Sequence, residues 1–167
     1  LRPAIEHDAD LRQALRELVE RVPDAAGLEV QLEFSPGTAL PPESSRAVYR
    51  IAQEALNNVL KHAGARQLRL ALAPVGSDAV ELLVEDDGIG LSDAARTNAG
   101  DGIGLRTMQH RAEVAGGELW VERRAPRGTR IRCRVPIRRR GGAGGAATPI
   151  EAAATGDASE ANKASTA

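Results

Sequence analysis

Hydrophobic residues follow a helical spacing in three stretches of the chain. The spacing predicts a first amphipathic helix over residues 8–21 and a third helix over residues 105–115. Between them, residues 41–45 offer helix-starting chemistry for a second helix, whose apolar face runs from Val48 to Ala63. Gly64 directly follows the second helix, and glycine is typical of a helix end. The apolar residues that share one face of this helix are Ile51, Ala52, Ala55, Leu56, Val59, Leu60 and Ala63. We expect that face to pack against the core.

Other stretches alternate apolar and polar residues, which is the pattern of half-buried strands. The alternating apolar positions are Leu28, Val30, Leu32 and Phe34, then Leu68, Leu70 and Leu72, then Val80, Leu82 and Val84, then Leu119 and Val121, and finally Ile131, Cys133 and Val135. Residues 74–78 join the second and third strands as a hairpin, and residues 126–128 join the last two. The pattern predicts about five strands and three helices in a two-layer α/β sandwich.

Two stretches lack apolar periodicity. Residues 86–105 contain five glycines, and a loop of that length in a compact domain is usually functional or disordered. Gly, Ala, Ser and Thr dominate residues 141–167, which we expect to be disordered because they cannot bury enough surface to offset the ordering entropy. The chain begins with Leu1 rather than Met, so we expect an upstream part to precede it.

Composition narrows the function classes. Aromatic residues make up only 2% of the chain, so the core must be aliphatic. The net charge of −1, from 22 basic and 23 acidic residues, gives no overall field for nucleic acid or an anionic membrane. The single cysteine, Cys133, excludes an internal disulfide framework and fits a reducing cytosol. No apolar run approaches the roughly 20 residues of a membrane span.

The second helix carries a polar stripe beside its apolar face. Glu54 and Asn58 lie one turn apart, and Lys61 and His62 follow on the same side. Oxygen ligands followed by positive charge suit a hydrated Mg²⁺ and the phosphates that it bridges. The alternative is an ordinary charged helix surface. Asn57 falls in a separate sector of the helix that we interpret as solvated.

A carboxylate and glycines follow the third strand, in Asp87-Gly88-Ile89-Gly90. The glycines let the backbone approach a ligand, and the Asp87 carboxylate can accept a hydrogen bond from an exocyclic amino group such as that of adenine. A plain Asp-Gly turn is the alternative.

A second glycine run, Gly100-Asp101-Gly102-Ile103-Gly104-Leu105, leads straight into the third helix. It offers free backbone N–H groups and a helix N-terminus to an anion. The run matches neither the phosphate loop of P-loop proteins nor a dinucleotide fingerprint, because no Lys follows and the spacing differs.

Together, the three elements resemble the GHKL ATPases (gyrase, Hsp90, histidine kinase, MutL), in the histidine-kinase branch. Residues 53–63 resemble the N box, Asp87–Gly90 the G1 box, Gly102–Leu105 the G2 box, and Gly128-Thr129 the terminal GT element. The resemblance covers residues 1 to about 137. It implies the Bergerat fold, a two-layer sandwich with a mixed sheet and a glycine-rich ATP lid over about 91–103.

The resemblance also implies the roles of individual residues. Asn58 would ligate Mg²⁺, with Glu54 assisting at the metal or polarising the attacking group. Lys61 and His62 would contact phosphates, and Asp87 the adenine amino group. The remaining ATP-binding positions would be Gly88, Gly90, Gly102, Ile103, Gly104, Leu105 and Thr129.

By resemblance, the chain divides into three parts. Residues 1–25 would be the end of a dimerisation region and the first helix of the catalytic domain, residues 26–140 the ATP-binding catalytic domain, and residues 141–167 a disordered tail. The phosphoacceptor histidine of the family lies far upstream of the N box, so we interpret His7 as a surface residue.

The implied activity is transfer of the ATP γ-phosphoryl to a histidine on an upstream dimerisation domain of a homodimeric parent. The opening Leu1-Arg2-Pro3 and the form of the N box resemble the nitrate-sensor-like subfamily, whose response regulators carry LuxR-type output domains. The expected location is cytoplasmic, and this is compatible with a parent that is anchored in the inner membrane. A nucleotide-binding module that acts only by binding a partner, as in anti-sigma-type proteins, is the alternative.

Neither nucleic acid nor direct membrane contact is expected of this chain. Arg130, Arg132 and Arg134 form a basic row, but they alternate with apolar residues, which predicts the solvated face of a strand. The scarcity of aromatic residues also removes the stacking platforms on which nucleic-acid bases bind.

Overall fold

The computed structural model describes residues 8–90 and 103–137, and within them three α-helices lie on one face of a five-stranded sheet. This confirms the predicted two-layer α/β sandwich. The elements in chain order are α1 (Asp8–Glu20), β1 (Glu29–Phe34), α2 (Pro42–Asn58), β2 (Gln67–Val75), β3 (Ala79–Asp86), α3 (Ile103–Val114), β4 (Glu118–Arg123) and β5 (Thr129–Pro136). His7, Gly102, the proposed lid and the tail 141–167 lie outside the described residues.

The sheet is mixed, with strand order β1-β2-β3-β5-β4. β1 and β2 are parallel because α2 crosses over between them, with Val30 opposite Leu68. The other neighbours are antiparallel, and they include the two hairpins that the turn residues predict. The last strand, β5, inserts between β3 and β4. The sheet centre is therefore assembled from strands that are distant in sequence.

Helix α2 is the centre of the helical layer and packs against both α1 and α3. Its apolar face meets the inward side chains of the sheet in one continuous aliphatic core. The largest fully buried side chains are Leu11, Leu15, Val48, Ile51, Leu68, Leu70, Leu72, Val80, Leu82, Met108 and Val135. Cys133 also points into this core, and burial raises the pKa of its thiol to about 12. The thiol is therefore protonated and inert at neutral pH.

The end of α2 departs from regular α-helix. Residues Val59–Ala63 form a π-helical turn, and Gly64 closes it in the left-handed conformation with φ 54°. The wider turn rotates the side chains relative to a regular helix. Leu60 is 38% exposed, so its assignment to the apolar face was wrong, while Val59 and Ala63 stay buried.

Helix α1 is fastened to the rest of the domain in two ways. Leu11 and Leu15 are buried in the common core. Arg12 reaches the segment between β1 and α2, where its Nη2 donates to the carbonyl of Ser35 at 2.9 Å and to Oγ1 of Thr38 at 2.7 Å. Thr38 is fully buried, so this contact orders the chain just before α2.

The sheet face turned away from the helices carries a network of ion pairs. Arg69 bonds to Glu33 at 2.7 Å and approaches Glu85 at 3.4 Å, and Arg130 pairs with the other oxygen of Glu85. Burial alone would raise the pKa of Glu85, but the hydrogen bond and charge of Arg130 outweigh it and lower that pKa.

The helices of the described residues are all too short or too polar to span a membrane.

The arginine row on β5 joins the same network. Arg132 bonds to Glu122 at 3.1 Å and Arg134 to Glu81 at 3.3 Å. Both guanidinium groups also lie over the Trp120 ring, at 5.4 and 5.6 Å from its centroid. The row therefore lies on the outer sheet face, as the alternation predicts, and its charges are engaged within the domain.

Replacing Leu15 by Ala tests whether α1 is part of the folded core. Leu15 is fully buried, and removing such a side chain typically costs about 2–5 kcal/mol. We expect a loss of that size in the free energy of unfolding measured with urea. Gln13→Ala, on the exposed side of the same helix, serves as the control and should change stability by less than about 0.5 kcal/mol. Equal, small effects would show that α1 is not integral to the fold.

Candidate nucleotide site

The structure brings the polar stripe of α2 close to Gly104, at the start of α3. The first turn of α3 lies so close to α2 that a Cβ on Gly104 would collide with Oε1 of Glu54. The same Cβ would lie 3.5 Å from Nδ2 of Asn58. A side chain at this position would displace the carboxylate of Glu54, so glycine allows α3 to approach the polar side chains of α2 closely. Residues that are almost fifty positions apart in sequence thus line one cleft.

The two asparagines of the N box are in different environments. Asn58 is half-buried beside Gly104, whereas Asn57 is exposed. Gln53, in the same sector as Asn57, accepts a hydrogen bond from Nη1 of Arg50 at 2.6 Å. The cleft therefore receives Glu54 and Asn58, in agreement with the helical geometry.

Lys61 and His62 lie in the π-helical turn and are exposed. A π-helix advances by a smaller angle per residue than an α-helix, so the positions expected for a regular helix do not apply to these two side chains. They lie beyond Asn58 at the end of the helix. Both side chains are open to solvent.

Strand β3 ends at Asp86, whose buried carboxylate lies on the sheet face that the helices cover. The alternate residues Val80, Leu82 and Val84 point into the core, and the next position of that series is Asp86, which is only 4% exposed. Its Oδ1 accepts a hydrogen bond from the backbone N–H of Gly88 at 2.7 Å. The strand therefore aims a carboxylate at the layer that carries Glu54.

The neighbouring Asp87 is engaged elsewhere. Its Oδ1 accepts hydrogen bonds from the backbone N–H groups of Arg66 at 2.8 Å and Gln67 at 2.9 Å. The bond from Gln67, and after it that from Arg66, hold the pKa of the Asp87 carboxyl below its usual range. Asp87 thus ties the end of β3 to the start of β2. This geometry does not support the prediction that Asp87 contacts the base.

The G1 segment, residues 86–90, packs against the end of α2 on one side. The N–H of Ile89 donates to the carbonyl of Ala63 at 2.9 Å. Gly88 lies directly on Ala63, with no room for a Cβ. This contact fixes the distance between the carboxylate at the strand end and the polar stripe on α2.

On the other side, the G1 segment meets the hairpin loop, residues 124–128. Gly128 adopts φ 106° and is buried against the main chain of Asp86, where any Cβ would overlap. A Cβ on Gly90 would approach the carbonyl of Gly128 to 3.0 Å. Thr129 follows at the start of β5 and so stands beside the G1 segment.

The remaining G2 residues lie at the start of α3. Leu105 packs against the core, while Ile103 is exposed, and the Ile103 carbonyl accepts from Oγ1 of Thr107 at 2.7 Å. The first turn of α3 therefore presents its backbone N–H groups next to the stripe on α2. Such a helix N-terminus attracts phosphate.

The cleft chemistry fits a nucleotide with a magnesium ion. Among residues 8–90 and 103–137, no group of three or more His, Cys, Asp or Glu side chains could hold a metal alone. Mg²⁺ in nucleotide sites takes only one or two protein oxygen ligands, with water and phosphate completing its shell. Glu54 and Asn58 offer such a pair, at the place that Gly104 keeps open.

Sequence reasoning missed two features of this site. Asp86 continues the alternation of Val80, Leu82 and Val84 by one step, and that signal was sufficient to find it. The hairpin loop is different, because nothing in its residues shows that Arg127 reaches the carbonyl of Gly88 at 3.1 Å. That contact depends on how β5 pairs with β3.

Comparison with known families decides the affiliation of the chain. The model of histidine kinase-, DNA gyrase B- and HSP90-like ATPases matches residues 43–139. The chain belongs to this ATPase family. The matched region of the ATPase begins after α1 and β1, which nevertheless share its core.

Relatives of this chain include sensor histidine kinases. It is 36% identical over 126 residues to the sensor histidine kinase YxjM of Bacillus subtilis, covering 74% of the chain and 30% of YxjM. Its fold matches the ATP-binding domain of PrrB from Mycobacterium tuberculosis with a TM-score of 0.59 and 25% identity, over 77% of this chain and 91% of that one.

A further structural match is full-length ShkA in complex with AMPPNP, with a TM-score of 0.63 and 20% identity over 80% of this chain and 32% of ShkA. The chain spans 26% to 35% of the length of four curated relatives that it matches.

Gly104→Ala separates the site from the fold. Ala favours a helix over Gly by up to about 1 kcal/mol, so we expect the melting temperature to stay the same or rise. The new methyl group must displace the flexible carboxylate of Glu54, so binding of Mg-ATP should weaken by about tenfold, or about 1.4 kcal/mol. Circular dichroism and titration with a fluorescent ATP analogue measure the two effects. Gln109→Ala, on the exposed face of α3, should alter neither; unchanged affinity in Gly104→Ala would contradict the assignment.

Proposed function

We propose that the chain binds Mg-ATP in the cleft between α2, α3 and the end of β3, and that it transfers the γ-phosphoryl group to a histidine on an upstream dimerisation domain. A response regulator would then take the phosphoryl group from that histidine. The observation that carries the proposal is the convergence of Glu54, Asn58 and the first turn of α3 around Gly104. The family match and the sensor kinases among the relatives support it.

The phosphate end of the site is assigned to α2 and α3. Asn58 and Glu54 would hold Mg²⁺, which supplies charge neutralisation between the phosphates when bound. Lys61 and His62 would approach the phosphates from solvent. The remaining phosphate contacts would come from the backbone of the second glycine run, at Gly102, Ile103, Gly104 and Leu105.

The base end of the site is assigned to Asp86 rather than Asp87. A carboxylate accepts the hydrogen bond of the adenine amino group, and Asp86 is the carboxylate that lies on the side of the helices. Its Oδ1 is bonded to Gly88, which fixes the orientation of the group. Gly88, Gly90 and Thr129 would shape the same pocket.

In this proposal, positioning and charge account for catalysis. The chain holds the γ-phosphoryl group in line with an external histidine and stabilises the charge that develops on its oxygens. Glu54, which like Asn58 faces Gly104, would polarise the attacking imidazole. The domain itself forms no covalent intermediate with the phosphoryl group.

The partners are inferred from the same resemblance. The parent would be a homodimer that acts in the cytoplasm, and its response regulator would carry a LuxR-type output domain. Leu1-Arg2-Pro3 and the form of the N box support this choice of subfamily.

Adjacent carboxylates provide a matched test of the base assignment. Asp86→Asn presents an amide N–H where adenine already donates, and loss of a charge-assisted hydrogen bond costs about 1.5–3 kcal/mol. We expect calorimetry to show ATP binding weakened at least tenfold. Asp87→Asn should change ATP affinity less than twofold, because Asp87 serves the Arg66 and Gln67 N–H groups. The reverse order would return the role to Asp87.

Labelling with radioactive ATP tests phosphoryl transfer. The chain alone should incorporate no acid-labile phosphate, although it contains His7, His62 and His110. Adding the dimerisation domain of the parent as a separate polypeptide should place the label on that partner. The reaction should be inefficient because the effective concentration of a tethered partner, about millimolar for a short linker, is lost.

Two asparagine variants control this experiment. Asn58→Asp should abolish label on the partner, while the exposed Asn57→Asp should leave it nearly unchanged. Acid-labile label on the chain alone would show that an acceptor lies within it. No label on the partner at any concentration would contradict the kinase assignment.

A further inference from the structure

The hairpin loop, residues 124–128, touches the main chain of the G1 segment at several points. Nε of Arg127 donates to the carbonyl of Gly88 at 3.1 Å, and Nη1 of Arg124 approaches the carbonyl of Asp86 at 3.5 Å. Gly128 packs against the same stretch. Of the two arginine contacts, that of Arg127 is the better hydrogen bond, because it is shorter.

Gly88 is held through both of its peptide groups. Its N–H donates to Oδ1 of Asp86 at 2.7 Å, and its carbonyl accepts from Arg127 at 3.1 Å. Gly88 therefore links the arginine of the hairpin loop to the carboxylate of the cleft. The orientation of the Asp86 carboxylate depends on the orientation of Gly88, since the two are joined by a hydrogen bond.

Gly88 needs contacts from other segments to hold its conformation, because it is a glycine. Glycine has wide conformational freedom, and Gly88 has no side chain that could fix it, because Ala63 occupies the space of a Cβ. The hydrogen bond that Asp87 accepts from Gln67 attaches the segment to β2, and the N–H of Ile89 attaches it to the end of α2. Among the described residues, the hairpin loop supplies the restraint on the third side.

We propose that Arg127 is a positioning residue that holds the Asp86 carboxylate in the orientation required to distinguish adenine from guanine. The inference rests on the proposed function, because it concerns recognition of the base in that site. Adenine offers an amino group to the carboxylate, whereas guanine offers a carbonyl oxygen at the same place, which a fixed carboxylate repels. A carboxylate that reorients freely discriminates less between the two.

The test compares three variants of the full chain. Arg127→Ala removes the bond to Gly88, Arg127→Lys keeps the charge and one donor, and Arg46→Ala removes an exposed arginine from the outer surface of α2. ATP and GTP compete against a fluorescent ATP analogue in the presence of magnesium. Hydrogen exchange of the amides of residues 86–90 is followed without nucleotide, and melting temperatures are recorded for each variant.

We expect Arg127→Ala to lower ATP affinity and the ATP-to-GTP affinity ratio by about fivefold each, the effect of losing one hydrogen bond. Amide exchange at Gly88 should become faster. Arg127→Lys should restore part of the ratio, and Arg46→Ala should match the unmodified chain. The ratio is the diagnostic readout, because a general loss of stability lowers affinity for both nucleotides alike.

Failure of this inference differs from failure of the proposed function. If the unmodified chain binds neither nucleotide, the proposed function fails and the inference fails with it. If the chain binds ATP but Arg127→Ala leaves the ratio unchanged, only the role of Arg127 is overturned. Unchanged exchange at Gly88 would likewise overturn the contact on which that role depends.

Discussion

The contact between the end of helix α2 and the end of strand β3 determines the geometry of the whole site. At Ala63 the helix carbonyl accepts the N–H of Ile89, and Gly88 lies directly on the same residue. Because this junction has no flexible side chain in it, the distance from the buried carboxylate to the polar stripe of α2 is set by main-chain packing. Displacing either element would separate the base end of the cleft from its phosphate end.

The surrounding elements all support this junction. Helix α1 lies outside the region matched by the family model, yet its leucines complete the core beneath α2, and Arg12 orders the segment that leads into that helix. On the opposite side of the sheet, Glu85 holds Arg69 and Arg130 together, behind the position of Asp86. Long charged side chains thus stabilise β3 on its solvent-facing side, and the aliphatic core stabilises it on the other side.

The sequence allowed most of the fold to be predicted, because its signals are local. Alternation and helical spacing located the five strands and three α-helices of the described residues. The π-helical turn was not predictable, since no residue in 59–63 requires it, and for that reason Leu60 was placed on the wrong face. The alternation extends to Asp86, but the Asp-Gly pair indicated the neighbouring Asp87 as the carboxylate of interest.

The contact of Arg127 is a different case. It depends on the pairing of β5 with β3, which brings Gly88 and Arg127 together although they are 39 positions apart in sequence. Local patterns carry no information about such pairings, so the role of the hairpin loop emerges only from the folded chain. The same holds for the ion pairs of the outer face, whose partners come from different strands.

The strand order has a consequence for how the domain is made. β3 lies at the centre of the sheet, and one of its two neighbours is β5, the last strand of the described residues. The ion-pair partner of Glu85 on that strand, Arg130, is synthesised 45 residues later. Such non-local pairing slows folding because long loops must close first. On the ribosome, the sheet cannot close until β5 has been synthesised. The cleft is completed only after β5 has left the exit tunnel, so the nucleotide site is the last part of the domain to mature.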